Sequence, residues 1–288
     1  MSKFFEALQR AERSATPSVP APASAEPPPM MEPRLPPPAL APRPAVAASL
    51  RSASVELHLV SLLEPASFEA EEYRVLRHAV ETLHKDAHLQ IVSVTSPGMG
   101  DGKTTTAINL AGALAQSTDA RVLLVDIDLR RPAVARHLGL AHSKRCLLDA
   151  LLDPGVKLED TVEHIARFNL SVLPAGGPEA VPYEILTSPR LEELLNEARR
   201  RYDFVVLDAP PFVPVPDCRL LTKCVDGFVV VVATHRTPRG MLAETLNLID
   251  PAKLAGLVFN GDVAPRSSYY RVAEPTPVAR WRRPWRSP

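Results

Sequence analysis

The chain has 288 residues, with 33 basic and 33 acidic side chains, so its formal net charge is zero and wholesale nucleic-acid binding is not expected. Its hydrophobic content of 45% suits a globular protein, whereas 31 prolines against 12 glycines marks part of the chain as spacer. No apolar run is long enough to span a bilayer, and the charged start MSKFFEALQRAER lacks an apolar h-region, so a cytoplasmic protein is expected.

Residues 1–14 suit a short amphipathic helix, with Phe4, Phe5, Leu8 and Ala11 on one side. So short a helix is marginal alone; it is either a docking peptide or a frayed terminus. From 15 to 54 the chain turns to Pro, Ala and Ser, the composition of a disordered linker. The folded domain is expected over 55–262. It opens on an edge strand or extended arm at 55–63, and Ser67 then starts a helix reaching about Lys85. Glu71, Arg74 and Arg77 lie three apart on that helix and read, by themselves, as a solvated charged face.

The stretch SVTSPGMGDGKTTT, 93–106, follows an apolar run and precedes the buried-helix sequence AINLAGALA. Strand, Gly-rich turn and helix form the P-loop layout, in which backbone N–H groups and a helix N-terminus face an anion. Gly98, Gly100, Asp101, Gly102, Lys103, Thr104 and Thr105 are the nucleotide-contacting candidates. Lys103 would neutralise the β- and γ-phosphates and the Thr104 hydroxyl would hold Mg²⁺. The strict pattern GxxxxGK[ST] fails, because Pro97 occupies its first glycine position.

The next apolar run, Val122 to Val125, ends in Asp126-Ile127-Asp128, two acids at strand spacing followed by Arg130-Arg131-Pro132. At the C-terminal end of a parallel strand both would project into the crevice that holds phosphates. A short helix over 145–152, a strand over 169–174 and an amphipathic helix over 190–202 come next. The strand Phe204 to Leu207 then ends in Asp208, a Walker-B arrangement in which the carboxylate holds Mg²⁺. Strands at 228–233 and 254–259 flank a helix near 239–248. Alternation of this kind implies an α/β P-loop NTPase fold: a mostly parallel sheet with helices on both faces. Asn260 ends the last strand, where its amide can read an adenine edge or open an Asn-Gly turn. Cys146, Cys218 and Cys224 fit no metal spacing and read as reduced core residues. The tail 263–288 carries Tyr269, Tyr270, six arginines and two tryptophans, a flexible basic segment suited to an anionic surface, an acidic partner or simple solubility.

Three motifs, GDGKTTT at 100–106, LLVDIDLRRP at 123–132 and FVVLDAPP at 204–211, together resemble the bacterial tyrosine kinases of the capsular and exopolysaccharide type. PYEILTSPRLEELL at 182–195 fits as well. EEYRVLR at 71–77 is similar to the family's Glu-x-x-Arg-x-x-Arg element, so the resemblance assigns Glu71, Arg74 and Arg77 to contacts between subunits of a homo-oligomeric ring. It further implies ATP and Mg²⁺ as cofactors and autophosphorylation of the tail tyrosines Tyr269 and Tyr270 in trans. Lys103, Asp126 and Asp128 become the catalytic residues, with Asp126 taking the tyrosine proton and Thr104, Asp128 and Asp208 arranging the metal. The implied partners are a membrane polysaccharide co-polymerase or chain-length regulator, which would recruit the kinase to the inner membrane face, and a tyrosine phosphatase. Two other classes stand beside the kinase: a MinD/ParA-type ATPase switch and an ATP-binding scaffold without phosphotransfer. The switch usually carries a second lysine early in the P-loop, and no lysine lies between Lys85 and Lys103.

Overall fold

The computed structural model describes residues 55–140, 145–176, 183–186 and 188–261. The expected helix at 1–14, the linker 15–54 and the tail 263–288 with Tyr269 and Tyr270 lie outside them. The described elements in chain order are α1 (Val60–Leu63), α2 (Phe68–Ala87), β1 (Ile91–Thr95), α3 (Lys103–Ala115), β2 (Val122–Asp126), α4 (Val134–His137) and α5 (Leu147–Leu152). They continue with β3 (Glu163–Ile165), β4 (Leu170–Leu173), α6 (Tyr183–Leu186), α7 (Pro189–Arg201), β5 (Phe204–Asp208), α8 (Asp217–Leu220), β6 (Gly227–Ala233), α9 (Arg239–Leu248) and β7 (Leu254–Asn260).

The strands form one sheet in the order β3-β4-β2-β5-β1-β6-β7, parallel throughout except for the antiparallel β3–β4 pair. Side chains along a strand alternate between faces, and here both faces are apolar. Leu123, Val125, Val205 and Leu207 face one core with Leu191, Leu194, Leu195 and Ala198 of α7. Val122, Leu124 and Val206 face the other with Ile108, Leu110, Ala111 and Leu114 of α3. Covering both faces with helices is what the near-continuous apolar strands require. Because β1, β5 and β2 run parallel side by side, their C-terminal ends share one rim of the sheet: Val94 and Asp126 both pair with Asp208.

Local chemistry sets the helix ends. The Ser67 hydroxyl accepts the Ala70 N–H at 3.1 Å to cap α2. Pro189, the first residue of α7, needs no N–H there. The arm expected at 55–63 is instead a turn leading into α1: Leu59 and Ser61 are buried while Leu57 is 85% exposed. It joins neither edge strand, β3 or β7, because its buried Leu59 belongs to the core cluster of Ile108, Leu110 and Leu114 on α3. The backbone therefore curls to meet α3. There Asn109, fully buried, accepts the Ser61 N–H at 2.9 Å and donates to the His58 and Thr105 carbonyls at 3.0 Å each. Asn109→Ala strands a buried donor and acceptors, so it is expected to destabilise the fold by about 2–4 kcal/mol. Chemical denaturation checks this; a loss below about 0.5 kcal/mol, the usual size of a neutral substitution, would show the network to be dispensable. Among the described residues no helix is long and apolar enough to cross a membrane.

Candidate active site

The turn between β1 and α3 is shaped by two glycines in the left-handed region, Gly100 at φ 78° and Gly102 at φ 97°. A Cβ on Gly102 would stand 2.0 Å from Asn260 Nδ2, so crowding adds to conformation there, while at Gly100 the positive φ alone calls for glycine. α3 then opens at Lys103, leaving first-turn N–H groups without intrahelical partners, an anion-binding arrangement. Gly98 and Asp101, by contrast, bind each other. The Asp101 carboxylate, 4% exposed, accepts the Gly98 N–H at 3.0 Å and braces the loop from within. Asp101 can therefore offer a nucleotide its main chain, while its side chain is committed. The Ala209 N–H donates to the Val94 carbonyl at 3.0 Å and that of Phe212 to the Ser96 carbonyl at 2.8 Å, which locks the loop to the segment after β5.

Three carboxylates converge on this turn. Lys103 Nζ donates to Asp128 Oδ2 at 2.8 Å and lies 3.7 Å from Asp208 Oδ1. Asp128 also accepts the Arg131 N–H at 3.1 Å. Asp126 is 1% exposed, and its oxygens accept the N–H groups of Asp128, Ala133 and Val134 at 3.2, 2.9 and 3.0 Å. It thus shapes the loop that carries Asp128. Asp208 is wholly buried, and neither of its oxygens has a hydrogen-bond partner.

Burial and Lys103 set the proton affinities. Desolvation pushes Asp208 up to about 6, although Lys103 and the nearby Thr104 hydroxyl pull it back without meeting either oxygen in hydrogen-bond geometry. Desolvation and the neighbouring Asp208 push Asp126 up to about 7 against the backbone donors that favour its charge. Burial lowers the Lys103 ammonium, but Asp208, Asp128 and Asp126 together outweigh it and its pKa rises. Two acids with raised folded-state pKa values mean that the native state binds more protons than the unfolded one between about pH 4 and 7. Stability without nucleotide should therefore fall as pH rises through this window, by up to a few kcal/mol. Melting curves at pH 5 and pH 8 check this, and a higher melting temperature at pH 8 would contradict it.

These features fit Mg²⁺ and a triphosphate. Two orphan carboxylate oxygens are the ligand type Mg²⁺ takes, and the glycine turn is a phosphate cradle. Among the described residues no three His, Cys, Asp or Glu side chains form a dedicated metal cage. Mg²⁺ does not need one, since it binds through one or two carboxylates with water and phosphate oxygens.

Other sequence candidates fall as follows. Asn260 Nδ2 donates to the Asp101 carbonyl at 2.9 Å, and Gly261 follows at φ 73°, so the residue serves the P-loop and a turn at once. Glu71 pairs with Arg74, whose other nitrogen reaches the Pro65 carbonyl at 2.5 Å. Arg77 binds Glu81 at 2.7 Å and the Ala113 carbonyl at the end of α3 at 3.0 Å. Cys218 is buried, but Cys146 and Cys224 are only partly so, which corrects their assignment to the core. Asp217, absent from the sequence candidates, is buried and takes Arg130 bidentately at 2.5 and 3.1 Å, fixing the loop after β2 to α8.

Comparison with known proteins agrees with this geometry. The family model described as an AAA domain matches residues 89–254. The tyrosine-protein kinase YwqD of Bacillus subtilis is 32% identical over 222 residues, covering 76% of this chain and 92% of the relative. The tyrosine-protein kinase ptk of Acinetobacter johnsonii is 31% identical over 202 residues; 69% of this chain is matched, to only 27% of that protein's length. The crystal structure of the chimerical protein CapA2B2 superposes with a TM-score of 0.65 at 29% identity, over 72% of this chain and 92% of that one. The VpsO kinase domain gives 0.56 at 33% identity, over 67% and 98%. The chain belongs to the AAA-domain P-loop proteins and, within them, to the bacterial tyrosine-protein kinases of the capsular and exopolysaccharide type.

Proposed function

We propose that the chain is an ATP-dependent protein-tyrosine autokinase serving capsular or exopolysaccharide synthesis, and that it phosphorylates Tyr269 and Tyr270 on a neighbouring copy. One observation carries the ATP site: Asp208 is buried with both oxygens unpartnered, 3.7 Å from Lys103 at the mouth of a glycine turn. A buried carboxylate without hydrogen bonds is costly even beside Lys103, and a divalent cation is a partner that relieves it.

Thr104, Asp128 and Asp208 would hold Mg²⁺, which when bound neutralises phosphate charge. Lys103, Thr104 and Thr105 at the start of α3, with the backbone of Gly98 to Gly102, would bind and orient the triphosphate. Phosphoryl transfer needs such positioning and charge neutralisation more than covalent help. A phenol with pKa of about 10 must lose its proton as it attacks. Asp126 is the proposed acceptor, a buried carboxylate at the end of β2 two residues from Asp128. For this, one of the backbone amides on Asp126 must yield. Asn260, whose Nδ2 is held by the Asp101 carbonyl, would meet the adenine through its amide oxygen.

For assembly into a ring, Glu71 and Arg74 have side chains 45% and 42% exposed and can exchange their mutual pairing for one across a subunit boundary. Arg77 would support them from its anchor on α3. A membrane polysaccharide co-polymerase is the proposed partner, recruiting the kinase to the inner membrane face; a tyrosine phosphatase would reverse the modification. Nucleic acid is not among the proposed partners.

The test is incubation of the full chain with labelled ATP and Mg²⁺, followed by mapping of the phosphate. Label on Tyr269 or Tyr270, appearing also on Lys103→Ala acceptor chains mixed with a Tyr269→Phe/Tyr270→Phe donor, is the expected result. Hydrolysis without label would replace the kinase by an ATPase switch.

A further inference from the structure

The β6–α9–β7 unit touches the P-loop at three points. Met241 of α9 packs beside Gly98, with its Cε 3.4 Å from where a Cβ would stand. Arg236 Nη2 donates to the Gly100 carbonyl at 2.6 Å. Asn260 Nδ2 donates to the Asp101 carbonyl at 2.9 Å.

The turn that presents Arg236 is built for the purpose. The Arg236 and Thr237 N–H groups both donate to the Ala233 carbonyl, at 3.2 and 3.0 Å, while the Ala233 N–H donates to the Thr237 hydroxyl at 2.9 Å. Thr234 donates to the Asn260 carbonyl from its N–H at 2.8 Å and its hydroxyl at 2.9 Å. His235 sits at φ 62°, a left-handed conformation that non-glycine residues adopt rarely and where strain gathers near functional sites. Turn and strand end are thus one unit, from which two donors reach consecutive P-loop carbonyls.

A trans peptide points its C=O and the next N–H in opposite directions. Holding the Gly100 and Asp101 carbonyls toward the β6–β7 edge therefore turns the Asp101 and Gly102 N–H groups away from it. We propose that Arg236 is a positioning residue for nucleotide binding: it draws the Gly100 carbonyl outward so that the following amides are already turned to the phosphates before ATP arrives. The proposal rests on the ATP site described above. Preorganised donors bind better because their ordering is not charged to the binding step.

The experiment uses the full chain and three readouts: ATP affinity by calorimetry, phosphorylation kinetics, and amide exchange of segment 98–103 without nucleotide. Arg236→Ala should raise the Kd and KM for ATP about tenfold, with kcat changed less, since the lost bond serves ground state and transition state alike. Exchange of 98–103 should accelerate while the melting temperature holds. Arg236→Lys, which still reaches as a donor, should recover most of both effects. Weaker ATP binding with unchanged exchange would overturn positioning in favour of direct phosphate contact. Affinity within twofold of wild type for Arg236→Ala would overturn the proposal outright. Failure of the wild-type chain to bind ATP at all is a separate result and would overturn the ATP site itself.

Discussion

Lys103→Ala is expected to lower tyrosine phosphorylation by about a hundredfold to a thousandfold, the usual effect of removing a preorganised electrostatic donor from a transferring phosphoryl group. It should also lower stability. Lys103 Nζ is the cation that faces Asp128 at 2.8 Å and Asp208 at 3.7 Å, both of them buried. Removing one partner of a buried ion pair costs about 3–5 kcal/mol, because the remaining charge has no compensation. The raised carboxyl pKa values soften this at low pH, where Asp208 and Asp126 take up protons. Activity loss and destabilisation should thus separate: at pH 5.5 the variant recovers part of its melting temperature and none of its activity. Full activity in a folded Lys103→Ala chain would show that phosphate binds elsewhere.

Asp208→Asn should do the reverse to stability. Its two oxygens lack hydrogen-bond partners, so the charge is a liability in the nucleotide-free protein. Removing it leaves Lys103 its Asp128 partner at 2.8 Å and relieves the repulsion that raises Asp126. The melting temperature without nucleotide at pH 8 should rise, by the several degrees that about 1–2 kcal/mol produces, while Mg²⁺-dependent phosphorylation falls at least about a hundredfold. Asp126→Asn is the contrast. Asp126 accepts three backbone N–H groups, and an amide nitrogen placed among them would leave donor facing donor, so stability should fall. If both variants move the melting temperature the same way, the two carboxylates do not have the different environments described above.

What the sequence made legible was periodic or local. The apolar runs ending in Asp126 and Asp208 foretold two strands of a mostly parallel sheet; their adjacency, with the terminal acids as register partners, is what the fold adds. The helix at Pro189–Arg201 follows from amphipathic spacing, and that at Arg239–Leu248 from its place between two apolar strands. Contacts that depend on the fold left no such trace. Arg130 and Asp217 are 87 residues apart, and Arg236 and Gly100 are 136 apart, so no spacing rule joins them. The segment 55–63 is a helical turn rather than an edge strand or arm because Leu59 is buried against α3 and Asn109 binds its backbone, contacts that leave no local pattern. Strand β3 has only three residues, too few for its period to register. The place of Asp101 in the glycine turn suggests a nucleotide contact, whereas its carboxylate turns back to Gly98, a bond no sequence pattern announces.

Calorimetric titration of ATP into the wild-type and Asp208→Asn chains, each with and without Mg²⁺, bears most directly on the shared Mg²⁺–triphosphate site of Lys103, Thr104, Asp128 and Asp208. Wild-type affinity should rise at least about tenfold when Mg²⁺ is added, and in Asp208→Asn that increment should vanish while metal-free ATP binding persists. An equal Mg²⁺ increment in both chains would place the metal away from Asp208 and contradict the site.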